Sequence, residues 1–338
     1  HILLFIMKKY DVYGICNPLI DILCHVPESF FKKHGIEKNV MHLVSFEEQQ
    51  SILSSLELDN FQFKYTAGGS AANSMIGLSQ LGGSAAFTGK IGIDDHGKIY
   101  KQKLEDLGIR ACLGQGEGAT GSSLVLISND GSRTMNTFLG MGQNLEIKDI
   151  DKEVMQSSKY LYLTGYLWDT KSQKKTVINA LSEAKGRNIK VAFSLSDPFC
   201  VVRHKKDFKN LLQEYVSVLF CNQEEIFTLL DIFVTQNAIE VISKWVETIV
   251  LTLGEKGALI YNCGELIYID PPIVQVIDTT GAGDAFAAGY LYGITNDFNY
   301  LNSGRLGSVL AGAVIEQTGP RYLGDVKKLV SEKLGIYI

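Results

Sequence analysis

The chain has 338 residues, 46% of them hydrophobic and 20% charged, enough for one large domain or two modest ones. Its 32 Lys and Arg against 37 Asp and Glu leave a net charge of −5, which argues against a duplex nucleic-acid binder but allows a local basic pocket for a small anion. Six cysteines without a CxxC pair and six histidines without HExxH exclude the common zinc signatures and fit idle thiols in a reducing cytosol.

The N-terminal run 1-HILLFIMKKYDVYGIC-16 is too short for a membrane span and lacks a secretory pattern. Met7 is the expected natural start, no membrane partner is expected, and a cytoplasmic location is the default. YDVYGIC (10–16) predicts a strand, 69–82 a helix, AAFTGKIG (85–92) a strand and 95–108 a helix ending at Gly108. KYLYLTG (159–165), a helix near 170–186 and IKVAFSL (189–195) repeat the cycle. VSVLFC (216–221), a helix from about 223 and TIVLTLG (248–254) repeat it again. Strands alternating with helices predict an α/β fold, a mostly parallel sheet covered on both faces.

Two regions break the alternation. Residues 17–66 hold short β-like runs (LIDILCHV, NVMHLVSF) around a short helix. Residues 110–139 read as consecutive strands, RACLG, TGSSLVLIS and SRTMNTFLG, with 129-NDGS-132 as a hairpin turn. Such insertions form either a lid over a site or an extra edge ribbon.

Five constellations carry chemistry. In 278-DTTGAGDAFAAGYLYG-293 small residues crowd against Asp284 at a helix start. Free N–H groups and the positive dipole end there suit a phosphate. A carboxylate beside an anion makes sense if Asp284 takes a proton from a hydroxyl attacking phosphorus; the competing reading is a plain helix cap. Second, 67-AGGSAANSMIG-77 offers another glycine pair before a helix, with Ser70 and Asn73 in its first turns. The adjacent Gly68 and Gly69 do not fit GxGxxG, which lowers a dinucleotide reading. Third, 17-NPLID-21 places Asn17 and Asp21 after the first strand, suited to vicinal hydroxyls or to a simple turn. Fourth, 222-NQEE-225 suits hydrated Mg²⁺ at Asn222 and Glu225, or a helix start with acidic residues. Fifth, in 252-TLGEKGA-258, Thr252, Gly254 and Gly257 pass a nucleotide closely or form a tight hairpin. The Gly89–Lys90 pair is a near miss to a Walker A loop, because Ser84 and Ile91 stand where Gly and Ser or Thr are required.

In this order the pieces resemble the ribokinase-like (PfkB) carbohydrate and nucleoside kinases across nearly the whole chain. GGSAANSMIGLSQLG looks like that family's N-terminal signature, DTTGAGDAF its C-terminal one and NQEE its NxxE. NPLID, 28-ESFFKKHGIEKN-39 and 62-QFKYTAGGSAANS-74 look like the adenosine kinase branch, while Thr280 stands where eukaryotic adenosine kinases carry Asn, as in many sugar kinases.

The resemblance implies one ribokinase-like unit over 7–338, a doubly wound sheet with a small β lid. The large α/β domain would cover about 7–16, 67–109 and 140–338, and the lid about 17–66 and 110–139. It implies ATP and Mg²⁺ as cofactors, K⁺ as a further candidate, and a small nucleoside or sugar as partner, with the protein a monomer or homodimer. Asp284 is then the base and Gly281, Ala282 and Gly283 the anion hole. Asn17, Asp21, Gly68, Gly69 and Asn73 hold the acceptor, and Arg133 is the lid arginine near the phosphates. Asn222, Thr252, Gly254 and Gly257 line the nucleotide site. Glu225 organises Mg²⁺ through water, and Asp278 and Thr280 lie near a monovalent cation. The rival readings are an NAD-dependent oxidoreductase and a non-catalytic nucleotide- or sugar-binding regulator.

Overall fold

The computed structural model of the chain describes residues 8–38, 40–130 and 132–338. The natural start at Met7, and the parts of the 39–46 run and the 129–132 turn that fall on Asn39 and Gly131, lie outside the described residues.

Why the sheet is buried on both faces can be read from its strands. In Tyr10–Ile15, Val12 packs into one core with Met75 and Ala288, while Tyr13 and Ile15 pack into the other with Leu161 and Phe193. Successive side chains point to opposite faces, so a strand apolar at both needs cover on both sides. The nine-stranded sheet runs Glu265–Ile269, Ala258–Asn262, Thr248–Thr252, Val218–Asn222, Lys190–Ser194, Ser158–Thr164, Tyr10–Ile15, Ala85–Thr88 and Arg110–Ala111. Pairing is parallel except at the edge, where Thr248–Thr252, Ala258–Asn262 and Glu265–Ile269 run antiparallel. Helices Ser70–Gln80, Ala282–Thr295 and Tyr300–Ile315 carry the first core, which includes Met75, Ile76, Ala288 and Leu310. Among the described residues no helix is long and apolar enough to cross a membrane.

A five-stranded sheet stands apart, in the order Met41–Leu43, Arg133–Gly140, Thr120–Ile127, Leu19–His25 and Lys64–Gly68. Helix Phe46–Leu58 is bolted to it by Gln49, whose amide donates to the Ser122 and Asn136 carbonyls at 3.1 and 2.8 Å.

Two sequence expectations change here. RACLG does not join the small sheet, because Arg110–Ala111 pairs parallel with Ala85–Thr88. The helix Asp95–Asp106 returns the chain alongside the strand it left, and such a crossover delivers a parallel neighbour. The run 85–92 is two strands, since Lys90–Gly92 leaves the large sheet to pair with Gly114–Gly116. Lys90, the lysine of the near-miss loop, is buried in ion pairs with Asp149 at 3.0 Å and Glu146 at 2.8 Å.

Candidate active site

A cavity of about 860 Å³ opens where the carboxyl ends of the large sheet meet the small sheet. Ligands of open α/β sheets bind at this end. Asn17, Asp21, Gly69, Asn73, Arg133, Asn222, Glu225, Thr252, Gly254, Gly257, Thr280, Gly281, Ala282, Gly283 and Asp284 all line it. Gly68 and Asp278 stand directly behind that wall, Gly68 against Asp21 and Asp278 against Arg133.

At its centre the two glycine-rich helix starts meet. Helix Ala282–Thr295 begins at Gly281, whose φ of 78° is left-handed. A Cβ at Gly281 would fall 2.3 Å from the Pro320 carbonyl oxygen, so both conformation and space demand glycine. One turn in, the Asp284 carboxylate accepts from Ser70 Oγ at 2.5 Å and from Asn73 Nδ2 at 3.0 Å. Ser74 Oγ donates to the Asp284 carbonyl at 3.0 Å, fastening the second helix to the first. Burial pushes the Asp284 carboxyl up to about 6, against the Ser70 and Asn73 hydrogen bonds, which pull it down. The Ala282 N–H closes on the Thr279 carbonyl at 3.3 Å, whereas Gly283 is exposed with open space where a Cβ would be.

Asp21 is not in a turn. It lies in strand Leu19–His25, in register with Thr66 on one side and Ser123 on the other. Gly68 makes its room, since a Cβ there would sit 2.2 Å from Asp21 Oδ2. Burial pushes the Asp21 carboxyl up to about 7, and the nearby Arg321 and Arg133 charges hold it down from a larger rise. Asn17 is buried, and its amide oxygen accepts from Gln173 Nε2, which also donates to the Gly142 carbonyl at 2.8 Å.

The resemblance implies Arg133 near the phosphates and Asp278 near a monovalent cation; in the structure Arg133 Nη2 donates to Asp278 Oδ2, with both side chains buried. Asp278 also accepts from the Gly319 N–H at 2.8 Å and the Thr280 N–H at 3.0 Å. The guanidinium and two amides therefore neutralise this carboxylate. Arg133 Nε is buried without a partner.

At the other end of the cavity, 222-NQEE-225 forms a capping box. The Glu225 carboxylate accepts from the Asn222 N–H and Nδ2, each at 2.9 Å, and the Glu225 N–H donates to Asn222 Oδ1 at 2.8 Å. Burial, and the Asp197 charge after it, push the Glu225 carboxyl up to about 7. Thr252, Gly254 and Gly257 line the cavity at the tight antiparallel hairpin between Thr248–Thr252 and Ala258–Asn262.

Three residues at or beside the cavity were missed in the sequence. Arg321, half-buried next to the cavity-lining Pro320, donates to Thr66 Oγ1 and to the Ala67 carbonyl at 2.6 Å. Asp197 caps helix Pro198–Glu214 through Cys200 N at 2.7 Å, but its other oxygen is buried without a partner. The Asp-Pro pair signalled that cap. Asp169 accepts from Arg203 at 3.0 Å and from His204 at 2.8 Å. The carboxylate, His204 and Cys200 lie within 4.8 Å of one another, yet Arg203 already neutralises the carboxylate and burial pushes the thiol up, which disfavours a metal there.

Comparison with known proteins agrees with this architecture. The family profile "pfkB family carbohydrate kinase" matches residues 37–326. A probable sugar kinase from Rhizobium etli CFN 42 superposes with a TM-score of 0.89 at 30% identity, covering 96% of this chain and 99% of that one. An adenosine kinase from Sinorhizobium meliloti gives 0.88 at 32% identity, with the same coverage. By sequence, adenosine kinase 2 of Arabidopsis thaliana is 24% identical over 93% of this chain and 97% of that protein. An uncharacterized sugar kinase of Archaeoglobus fulgidus is 27% identical over 73% of this chain and 97% of that protein. The chain belongs to the pfkB family of carbohydrate kinases, and its fold is theirs, a large mostly parallel sheet between helices with a smaller sheet beside it.

Proposed function

We propose that the protein moves the γ-phosphoryl group of ATP to a primary hydroxyl of a nucleoside, adenosine-like, or of a sugar. The observation that carries this is the Asp284 carboxylate, held by Ser70 and Asn73 inside the cavity at the start of the helix that Gly281 opens. A carboxyl near 6 is ionised at neutral pH and still basic enough to take a proton from the attacking hydroxyl. The helix start, with Gly281, Ala282 and Gly283, answers the negative charge that spreads over the transferring oxygens. Asp21, Asn17, Gly69 and Asn73 orient the acceptor from the small-sheet side. Arg133 holds that sheet down as a lid through Asp278, and its unpartnered Nε offers one donor to an anion.

The residues present fit Mg²⁺ and a nucleotide. The unpartnered Asp197 oxygen and the Glu225 carboxylate both line the cavity and would suit a hydrated Mg²⁺, and the hairpin with Thr252, Gly254 and Gly257 lines it too. When bound, Mg²⁺–ATP supplies the phosphoryl group and neutralises its charge. A plain sugar as acceptor is favoured by Thr280 and by the sugar kinases among the relatives. A non-catalytic regulator would have no use for a tuned carboxylate at an anion site.

The test is an ADP-release assay coupled to NADH oxidation, run over a panel of nucleosides and sugars with and without Mg²⁺. Turnover of one or more acceptors is expected; ligand binding without any ADP release across the panel would overturn the reading.

A further inference from the structure

Three consecutive residues touch three separate parts of the site. The Gly319 N–H donates to Asp278 Oδ2 at 2.8 Å. Pro320 packs so closely on Gly281 that no side chain fits between them. Arg321 crosses to the small sheet, where Nη2 donates to Thr66 Oγ1 and the Ala67 carbonyl. Thr66 is the register partner of Asp21. The segment is itself anchored, because Gln317 Nε2 donates to the Arg321 carbonyl.

We propose that Arg321 is a positioning residue of the acceptor site, pinning strand Lys64–Gly68 and supplying the positive charge that faces Asp21, while Gly319 and Pro320 fix the same segment to the start of the phosphate-binding helix. The inference rests on the kinase reading for its acceptor and phosphate ends. Strand Lys64–Gly68 is an edge strand with no further strand paired to it among the described residues, so side-chain donors such as this guanidinium help set its place. An arginine that merely plugged a gap would need donors satisfied, but not a carboxylate in its field. The ionisable groups facing Asp21 are Arg321, Arg133 and Asp284, with Tyr100 donating to the Gly68 carbonyl at 3.0 Å behind it. Arg321 is the strongest of the charges that oppose the burial of Asp21. Arginine stays charged even when buried, so it does this at every working pH. Acceptor grip and phosphate grip thereby share one rigid strap.

The experiment compares the unmodified protein with Arg321→Gln, Arg321→Lys and Asp21→Asn. The first readout is kcat/KM for the acceptor from about pH 5 to 9. Arg321→Gln, which keeps donors but loses charge, is expected to raise the acceptor KM about tenfold, to leave the ATP KM within about threefold, and to move the acid limb up by about one pH unit. Arg321→Lys restores the limb because it restores the charge, and Asp21→Asn lacks that limb. A limb that stays put in Arg321→Gln, or KM values for both substrates rising together, overturns the inference. The second readout needs no turnover: the ¹³C-carboxyl NMR titration of Asp21 should shift to higher pH in Arg321→Gln, and an unmoved midpoint overturns the inference equally. Failure of the unmodified protein to release ADP with any acceptor condemns the kinase reading instead, and is seen before any variant is made.

Discussion

Ser70 Oγ donates a 2.5 Å hydrogen bond to Asp284 Oδ1 across 214 positions of sequence. With Asn73 on the other oxygen, it makes two glycine-rich helix starts into one site. Each start alone is a glycine-led helix N-terminus without a side-chain cap. Together they hold one buried carboxylate at the positive end of a helix, where its burial is offset by two hydrogen bonds.

Asp284→Asn is expected to lower kcat by a factor of about 10² to 10⁴ while both substrates still bind. Steady-state assay with calorimetry checks this; near-normal kcat would remove Asp284 from the base role.

Asn73→Ala removes a hydrogen bond that favours the ionised Asp284, so the carboxyl should rise further above its value of about 6. With Asp284 as the proposed base, turnover requires its ionised form, and the acid limb of kcat should therefore move to higher pH. A pH–rate profile reads the shift, and a limb displaced downward contradicts the assignment.

Gly68→Ala puts a methyl into the space of the Asp21 carboxylate. Overpacking of this kind costs about 1–3 kcal/mol, here spent largely on displacing Asp21. The acceptor KM should rise strongly with the ATP KM little changed, in the same assay run against each substrate in turn.

Lys90→Met tests the near-miss loop. Lys90 is buried with Asp149, and removing it strands a buried carboxylate, at a cost of about 3–5 kcal/mol. Denaturant melts should show that loss, whereas the ATP KM should hold; a selective loss of ATP binding would restore a phosphate role for Lys90.

Asp21 also sets a pH dependence of stability. Its folded pKa of about 7 lies above the usual carboxylate range near ~3.9, so between these values the folded state binds more protons than the unfolded one. Its contribution to stability is present at low pH and is lost as pH rises toward 7. Thermal melts of Asp21→Asn against the unmodified protein should show the fall flattened in the variant; parallel curves would deny Asp21 its raised pKa.

Much of the fold was legible because periodicity is local. Strands such as 10–16 and helices such as 170–186 announce themselves within a dozen residues, and the structure has Tyr10–Ile15 and Lys171–Gly186. Where partners must be chosen, reading failed: nothing local told RACLG which sheet to join, because parallel pairing is decided by the crossover that precedes it. In the site, the glycine-rich starts at Gly69 and Gly281 were legible because only certain residues tolerate such backbone. Arg321 was not, since a charge after a Gly-Pro turn looks like solvent-exposed loop.

By itself the sequence determined the alternation of strands and helices, the two helix starts that offer amides, and the carboxylates at 21, 225 and 284. Only the tertiary structure decided which charges meet. Arg133 falls on Asp278 and Arg321 beside Asp21, pairs far apart in sequence. Local preference acts through bonded neighbours and carries over a few residues, whereas Coulomb and hydrogen-bond energies depend on distance in space, which exists only once the chain has packed.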